Sequence, residues 1–162
     1  MKPSPAPEGG LPLSGRCLCG AVSFAVREPL ETAWYCHCTR CQHRTGTSSS
    51  AGAATRPGSF EITSGSEHVR EWAPPDGHVK CFCELCGGHL WSRDPDRGDD
   101  VVSIRLGAFN GDPGVRPVAR QFVDYAAAWE PIPDDGLPRW GERMPADAWP
   151  RTSGEPPAQH EP

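Results

Sequence analysis

Eight cysteines gather in three short segments of the chain, and this clustering constrains the fold more than any other feature. The clusters are Cys17 with Cys19, Cys36 with Cys38 and Cys41, and Cys81 with Cys83 and Cys86. A disulfide framework spaces its cysteines more evenly and is typical of secreted proteins. The N-terminal sequence "MKPSPAPEGGLPLSG" has no apolar core of a signal peptide. We therefore expect a cytoplasmic protein with reduced thiols, and close thiol spacing then favours metal binding.

The first and last clusters have the form of two zinc knuckles. "GRCLCGAV" contains Cys-x-Cys-Gly and "CFCELCGG" contains Cys-x-x-Cys-Gly. Glycines after the ligands let the backbone turn so that amides can point at thiolate sulfurs. Two ligands from each knuckle make a closed tetrahedral site, which is typical of structural zinc. We predict such a site from Cys17, Cys19, Cys83 and Cys86; the alternative is that these cysteines are small buried hydrophobic residues.

The middle cluster, "CHCTRC", offers three thiolates and no obvious fourth ligand. Three ligands can surround one zinc ion and leave a fourth position open, as catalytic zinc sites do. A thiol arriving at that position would be deprotonated and would become a nucleophile or a leaving group. We predict that Cys36, Cys38 and Cys41 hold a catalytic zinc whose coordination is completed by a substrate.

Three alternatives to an open site stay possible from the sequence. Cys81 could close the site, although a buried thiol on the strand before the second knuckle is the simpler interpretation. His37 or His43 could be a fourth ligand; His37 is expected to point away from the metal, and His43 could instead support a ligand from outside the coordination sphere. Finally, zinc could be absent and the three thiols could perform redox chemistry.

The composition indicates a small acidic β-protein. The chain has 162 residues and a net charge of −5, which disfavours nucleic acid as a partner. No apolar run approaches the roughly 20 residues that span a bilayer. Alternating segments separated by Gly and Pro turns predict antiparallel strands, and the tryptophans are expected mainly in the core. The strand-like segments are 21–26, 59–63, 68–72, 101–106 and 119–125. We predict disordered tails at 1–13 and 150–162 around one domain at 14–149.

These motifs resemble the glutathione-dependent formaldehyde-activating enzyme family, also called the Gfa/CENP-V family. The resemblance is carried by the cysteine order CxC, CxCxxC, CxxC and by four segments: "GRCLCGAVSF", "CHCTRCQHRTG", "FCELCGGHL" and "FVDYAAAWEPIPDDGLPRW". It implies a mainly β, Mss4-like fold with antiparallel sheets and a zinc knuckle. It also implies two Zn²⁺ ions, with the structural and catalytic ligand sets given above.

The resemblance implies a reaction that joins formaldehyde to glutathione, which is classed as carbon–sulfur lyase chemistry. A small thiol such as glutathione and a small aldehyde are the expected partners. Arg40, Arg44 and Arg70 are candidates for binding the thiol's carboxylates, and His43 and Arg44 for protonating the alkoxide. The chain departs from the family where "GAFN" (107–110) and Arg120-Gln121 replace a GTLD-like turn and a later histidine. A non-enzymatic zinc module that binds another protein and a thiol-redox protein are the alternative functions, and the oligomeric state is not predicted.

Overall fold

The computed structural model describes residues 10–96 and 101–149, and this part of the chain is mainly β. It contains eleven strands and one α-helix, α1, at Thr39–Thr45. The strands are β1 Leu13–Arg16, β2 Ser23–Val26, β3 Thr32–Cys36, β4 Ser50–Ala54, β5 Phe60–Ser64, β6 Val69–Trp72, β7 Val79–Cys83, β8 His89–Arg93, β9 Val102–Arg105, β10 Pro117–Gln121 and β11 Arg139–Trp140. Within these described ranges, no helix has the length and apolar character needed to cross a lipid bilayer.

The described residues divide into two units. The first is built from the chain up to Leu30 and from Ala53–Val115, and the second from Glu31–Gly52 and from Arg116 onward. The chain passes from the second unit to the first within β4. The predicted tails lie largely outside the described residues, and the single domain at 14–149 stays a prediction; β1 begins one residue before it, at Leu13.

Antiparallel pairing builds the first unit. Strand β2 pairs with β1, where Leu13 lies opposite Val26, and with β5, where Val26 lies opposite Phe60. A second set of strands runs β6–β7–β8–β9, each antiparallel to its neighbour. These pairings confirm the predicted mainly β, mostly antiparallel fold.

Aromatic side chains fill the core of the first unit. Phe24 is almost fully buried, and its ring centroid lies 5.8 Å from Phe60, 5.6 Å from Phe109 and 6.0 Å from Trp91. Edge-to-face pairs at such distances stabilise a core beyond the area they bury. Leu90 and Ile104 are completely buried as well, and each such side chain contributes roughly 1.5–3 kcal/mol. This core fixes the ends of β1 and β7, from which one cysteine cluster extends.

Parallel pairing distinguishes the second unit. Strand β10 pairs in parallel with β3 on one side and with β11 on the other. In this register Arg120 lies opposite Tyr35, and Gln121 lies opposite Cys36. The sequence analysis did not predict these parallel pairs, because they join segments far apart in the chain and no local turn signal marks them.

The structure corrects the expectation that the tryptophans lie mainly in the core. Trp91 is 4% exposed, but Trp72 and Trp129 are 51% and 68% exposed. Trp72 ends the edge strand β6, whose last three residues are all exposed. Trp129 lies in an extended loop after β10, so its ring has little protein around it to pack against.

Candidate metal centres

The four knuckle cysteines meet in the first unit. Cys17 and Cys19 follow β1, Cys83 ends β7, and Cys86 lies in the turn before β8. Their sulfurs all lie within 4.8 Å of one another. Cys19 Sγ is 3.5 Å from Cys17 Sγ and 3.9 Å from Cys83 Sγ. A tetrahedral zinc with bonds near 2.3 Å separates its sulfurs by about 3.8 Å, so this cluster fits such an ion.

Backbone groups hold the sulfurs of this closed cluster in place. The Val22 N–H donates to Cys17 Sγ at 3.3 Å. The Gly87 N–H donates to the Cys83 carbonyl at 2.8 Å, and Cys83 in turn donates to Gly88 at 3.0 Å. Gly87 has φ +68°, and a Cβ at Gly88 would lie 3.3 Å from Cys86 Sγ. The knuckle glycines therefore allow the close turn that the sequence predicts.

The thiols of the closed cluster differ in pKa. A hydrogen bond from the Cys19 backbone is the largest cause that lowers the pKa of Cys86 to about 6. Burial acts to raise the pKa of Cys17, but hydrogen bonds from Val22 and with the neighbouring sulfurs lower it overall. Contact with Cys17 and the other sulfurs outweighs the Ala21 backbone hydrogen bond and raises the pKa of Cys19 to about 11. Adjacent thiolates of this kind suit a divalent cation.

The three remaining predicted ligands meet in the second unit. Cys36 ends β3, Cys38 is the N-cap of α1, and Cys41 lies in its first turn. Their sulfurs lie within 4.8 Å of one another, and among the described residues no imidazole or carboxylate joins this cluster. The Cys41 N–H donates to Cys38 Sγ at 3.4 Å, so the helix start itself orients one ligand. We call these three residues the triplet.

The triplet's own chemistry indicates that it is built for a cation. Hydrogen bonding with Cys38 and Cys41, followed by burial, raises the pKa of Cys36 strongly. For Cys38 the contact with Cys36 lowers the pKa, but Cys41 and burial together raise it. Three neighbouring thiolates repel one another, and a metal ion bound among them would supply the positive charge that favours their ionised form. The residues present fit a three-coordinate metal site.

Comparison with known proteins identifies the family. The family model described as "Glutathione-dependent formaldehyde-activating enzyme" matches residues 12–125, a range that includes both cysteine clusters. The chain belongs to this glutathione-dependent formaldehyde-activating enzyme family. The predicted resemblance is thereby confirmed.

Two relatives of this family member are similar over most of its length. A Halomonas elongata protein named "Putative glutathione-dependent formaldehyde-activating enzyme" is 26% identical over 82% of this chain and 96% of its own. A crystal structure of a Rhodobacter sphaeroides protein covers 79% of this chain and 99% of its own, with a TM-score of 0.50 and 19% identity. The second likeness supports the fold alone.

The structure also places the other residues that the sequence analysis singled out. Cys81 is completely buried on β7 and belongs to neither cluster. His43 is exposed in the last turn of α1 and is not part of the triplet. Arg70 lies on β6 in the first unit and pairs with Glu84. Arg40 and Arg44 lie on α1, the helix that carries Cys41.

Sequence reasoning missed a buried polar group next to the triplet. His37, between two triplet cysteines, is 3% exposed, and Arg120 on β10 is 6% exposed. Burial first, and then the charge of Arg120, lower the pKa of His37, so the ring is neutral at pH 7. One signal was available: Arg120 and Gln121 are adjacent polar residues inside a predicted strand, where one of them must face the buried side, and arginine is almost never fully buried unless it is paired.

Proposed function

We propose that this protein is a zinc-dependent carbon–sulfur lyase. It would add a small aldehyde such as formaldehyde to glutathione or another low-molecular-weight thiol, or catalyse the reverse reaction. The observation that carries this proposal is the triplet, whose three sulfurs lie together with no fourth protein ligand from residues 10–96 and 101–149, in a chain of this family. A closed site such as the four-cysteine cluster leaves no position for a substrate, whereas three ligands do.

The two clusters would have different roles. Cys17, Cys19, Cys83 and Cys86 would hold a structural Zn²⁺ that stabilises the first unit. Cys36, Cys38 and Cys41 would hold a catalytic Zn²⁺ in the second unit. When bound there, the ion would supply a positive charge that lowers the pKa of an incoming thiol.

The bond changes balance without any further reagent. The thiol loses its proton, its sulfur attacks the aldehyde carbon, and the carbonyl π-electrons move to oxygen. The resulting alkoxide takes up one proton, so the sum of the reaction is addition of S–H across C=O. Arg40 and Arg44 are the candidates on α1 for holding the thiol's carboxylates, and His43 or Arg44 for protonating the alkoxide. A cytoplasmic location, where small thiols are abundant and reduced, is part of the proposal.

Acceleration of thiol–aldehyde exchange tests the proposal. Because thiols add to formaldehyde without a catalyst, NMR exchange spectroscopy at equilibrium should measure how much the protein speeds interconversion of free and S-hydroxymethyl glutathione. We expect Cys38→Ser to reduce the catalysed rate on the order of 100-fold, since zinc stabilises developing charge by several kcal/mol. Cys81→Ala is the matched control, because Cys81 is outside both clusters.

The outcomes separate the proposal from its alternatives. Full activity in Cys38→Ser would contradict the catalytic role of the triplet. No acceleration by the unmodified protein, with two bound ions, would favour a zinc module that binds another protein. Formation of a disulfide by peroxide without prior zinc loss would favour a thiol-redox protein.

A further inference from the structure

Arg120 forms a partly buried ion pair with Asp135 in the second unit. Its Nε and one terminal nitrogen, Nη2, both donate to Asp135 Oδ2, at 3.1 and 2.6 Å, and Nε also lies 3.4 Å from Asp135 Oδ1. The Arg120 guanidinium, as the largest cause, lowers the pKa of Asp135, so that carboxylate is ionised at pH 7. Besides its charge, the guanidinium has a fixed direction, because the carboxylate that holds it leaves its remaining N–H groups pointing one way.

The same guanidinium contacts the residue between two metal ligands. Its second terminal nitrogen lies 3.3 Å from His37 Nε2, and its central carbon lies 4.3 Å from the centre of the Tyr35 ring. A guanidinium donates hydrogen bonds and never accepts them. His37 Nε2 must therefore be the acceptor, and the ring proton of neutral His37 lies on Nδ1. This atom makes no full hydrogen bond, although the Ser48 backbone interacts with the ring.

The backbone of His37 is held from both sides as well. Its N–H donates to the Gln121 carbonyl at 3.0 Å, next to Arg120 on β10. Its carbonyl accepts from Gln42 Nε2 at 2.6 Å, and the same amide nitrogen donates to the Tyr125 carbonyl at 2.7 Å. Residue 37 is thus fixed at its amide, its ring and its carbonyl. Cys36 and Cys38 are its two chain neighbours.

We propose that Arg120, oriented by Asp135, is a positioning residue for the triplet metal site. By holding the ring of His37, whose backbone is held by Gln121 and Gln42, it restricts the directions in which the flanking Cys36 and Cys38 sulfurs can point. Residues that orient ligands from outside the coordination sphere typically contribute ten- to hundred-fold in metal affinity. The inference rests on the part of the proposed function that places a metal ion on the triplet.

Arginine substitutions test this role by metal affinity. Arg120→Met removes the positive charge. Arg120→Lys keeps a cation beside Asp135, but its single ammonium group lacks the planar set of N–H donors that contacts Asp135 and His37 together. Arg27→Met is the matched control, because Arg27 forms an exposed ion pair with Glu61 at 2.7 Å in the first unit. Zn²⁺ affinity is measured by chelator competition, and each site is followed by the absorption bands of Co²⁺ in its place.

We expect both Arg120 variants to bind the triplet ion about ten- to hundred-fold more weakly, while the four-cysteine ion is unchanged. Arg27→Met should leave both sites unchanged. A second readout is the tautomer of His37, observed by two-bond ¹H–¹⁵N spectra. The unmodified protein should show the ring proton on Nδ1. Arg120→Lys should shift this proton toward Nε2, because the guanidinium that must donate to Nε2 is then gone.

Several results would overturn the inference. The inference is wrong if both Arg120 variants bind Zn²⁺ at the triplet within two-fold of the affinity of the unmodified protein. It is also wrong if the unmodified protein carries the His37 ring proton on Nε2. Loss of both ions in both variants would show that Arg120 serves the whole fold and not this site. If the unmodified protein binds two ions but does not accelerate thiol–aldehyde exchange, the proposed function fails; Arg120-dependent affinity at the triplet would still establish the positioning role.

Discussion

At the scale of single residues, the eight cysteines lie in three different environments. Four approach a tetrahedral arrangement, three form an open cluster, and Cys81 is buried away from both. The spacing of the cysteines along the chain favours this division, because ligands two or three residues apart can share a site, although Cys81 lies two residues from Cys83 and does not join its cluster. Spacing cannot predict that Arg120 packs beside His37, since the two residues are far apart in sequence and meet only through strand pairing.

Serine substitutions in the two clusters should have opposite effects on stability and activity. Cys83 is completely buried at the end of β7, and structural zinc sites contribute about 10 kcal/mol or more to folding. We expect Cys83→Ser to unfold the first unit or to lower its thermal midpoint drastically, with loss of one ion. Cys38→Ser should leave the far-ultraviolet circular dichroism spectrum and the midpoint nearly unchanged. Similar midpoints for both variants would contradict the assignment of one cluster to structure.

At the scale of elements, local signals predict strands better than they predict partners. The segments 21–26, 68–72 and 101–106 each contain an observed strand, 59–63 covers all but the last residue of β5, and 119–125 overlaps the end of β10. Strand β4, "SAGAA", is built from small residues and is largely buried. Helix α1 was not predicted, because seven residues give no apolar period. Its ends are fixed by Cys38 at the N-cap and by Gly46 in the left-handed region at the C-cap.

The turn after β5 should tolerate no residue other than glycine at position 65. Gly65 has φ +71°, and a Cβ there would lie 1.8 Å from the Ala21 carbonyl oxygen. Gly58 has φ +70° with nothing within 4 Å of that position. Both alanine variants incur the left-handed strain, roughly 1 kcal/mol, but only Gly65→Ala must also displace the backbone.

Urea unfolding in excess Zn²⁺ measures this difference. We expect Gly65→Ala to be less stable than Gly58→Ala by at least about 2 kcal/mol, the usual cost of overpacking. Equal stabilities of the two variants would show that the Ala21 segment can move without cost, and the packing between β2 and the turn after β5 would then be looser than described.

At the scale of the whole molecule, each unit carries one cysteine cluster. The first unit contains the closed cluster with an aromatic core, and the second contains the triplet with the parallel strands β3 and β10. Composition and motif order were enough to predict a mainly β fold and the two groups of cysteines that the structure brings together, whose roles as metal ligands stay a prediction. They could not predict the division into two units, because it depends on which distant segments pair, and a single sequence does not encode that pairing in local patterns.

The most direct test of this account is the number of zinc ions per chain, measured with and without glutathione. The account predicts two ions per chain. Glutathione should change the absorption of Co²⁺ at the triplet by adding a sulfur ligand, and Cys38→Ser should abolish that change while one ion stays bound. A single tightly held ion, or a second ion whose spectrum glutathione does not alter, would contradict the open site on which the proposed chemistry depends.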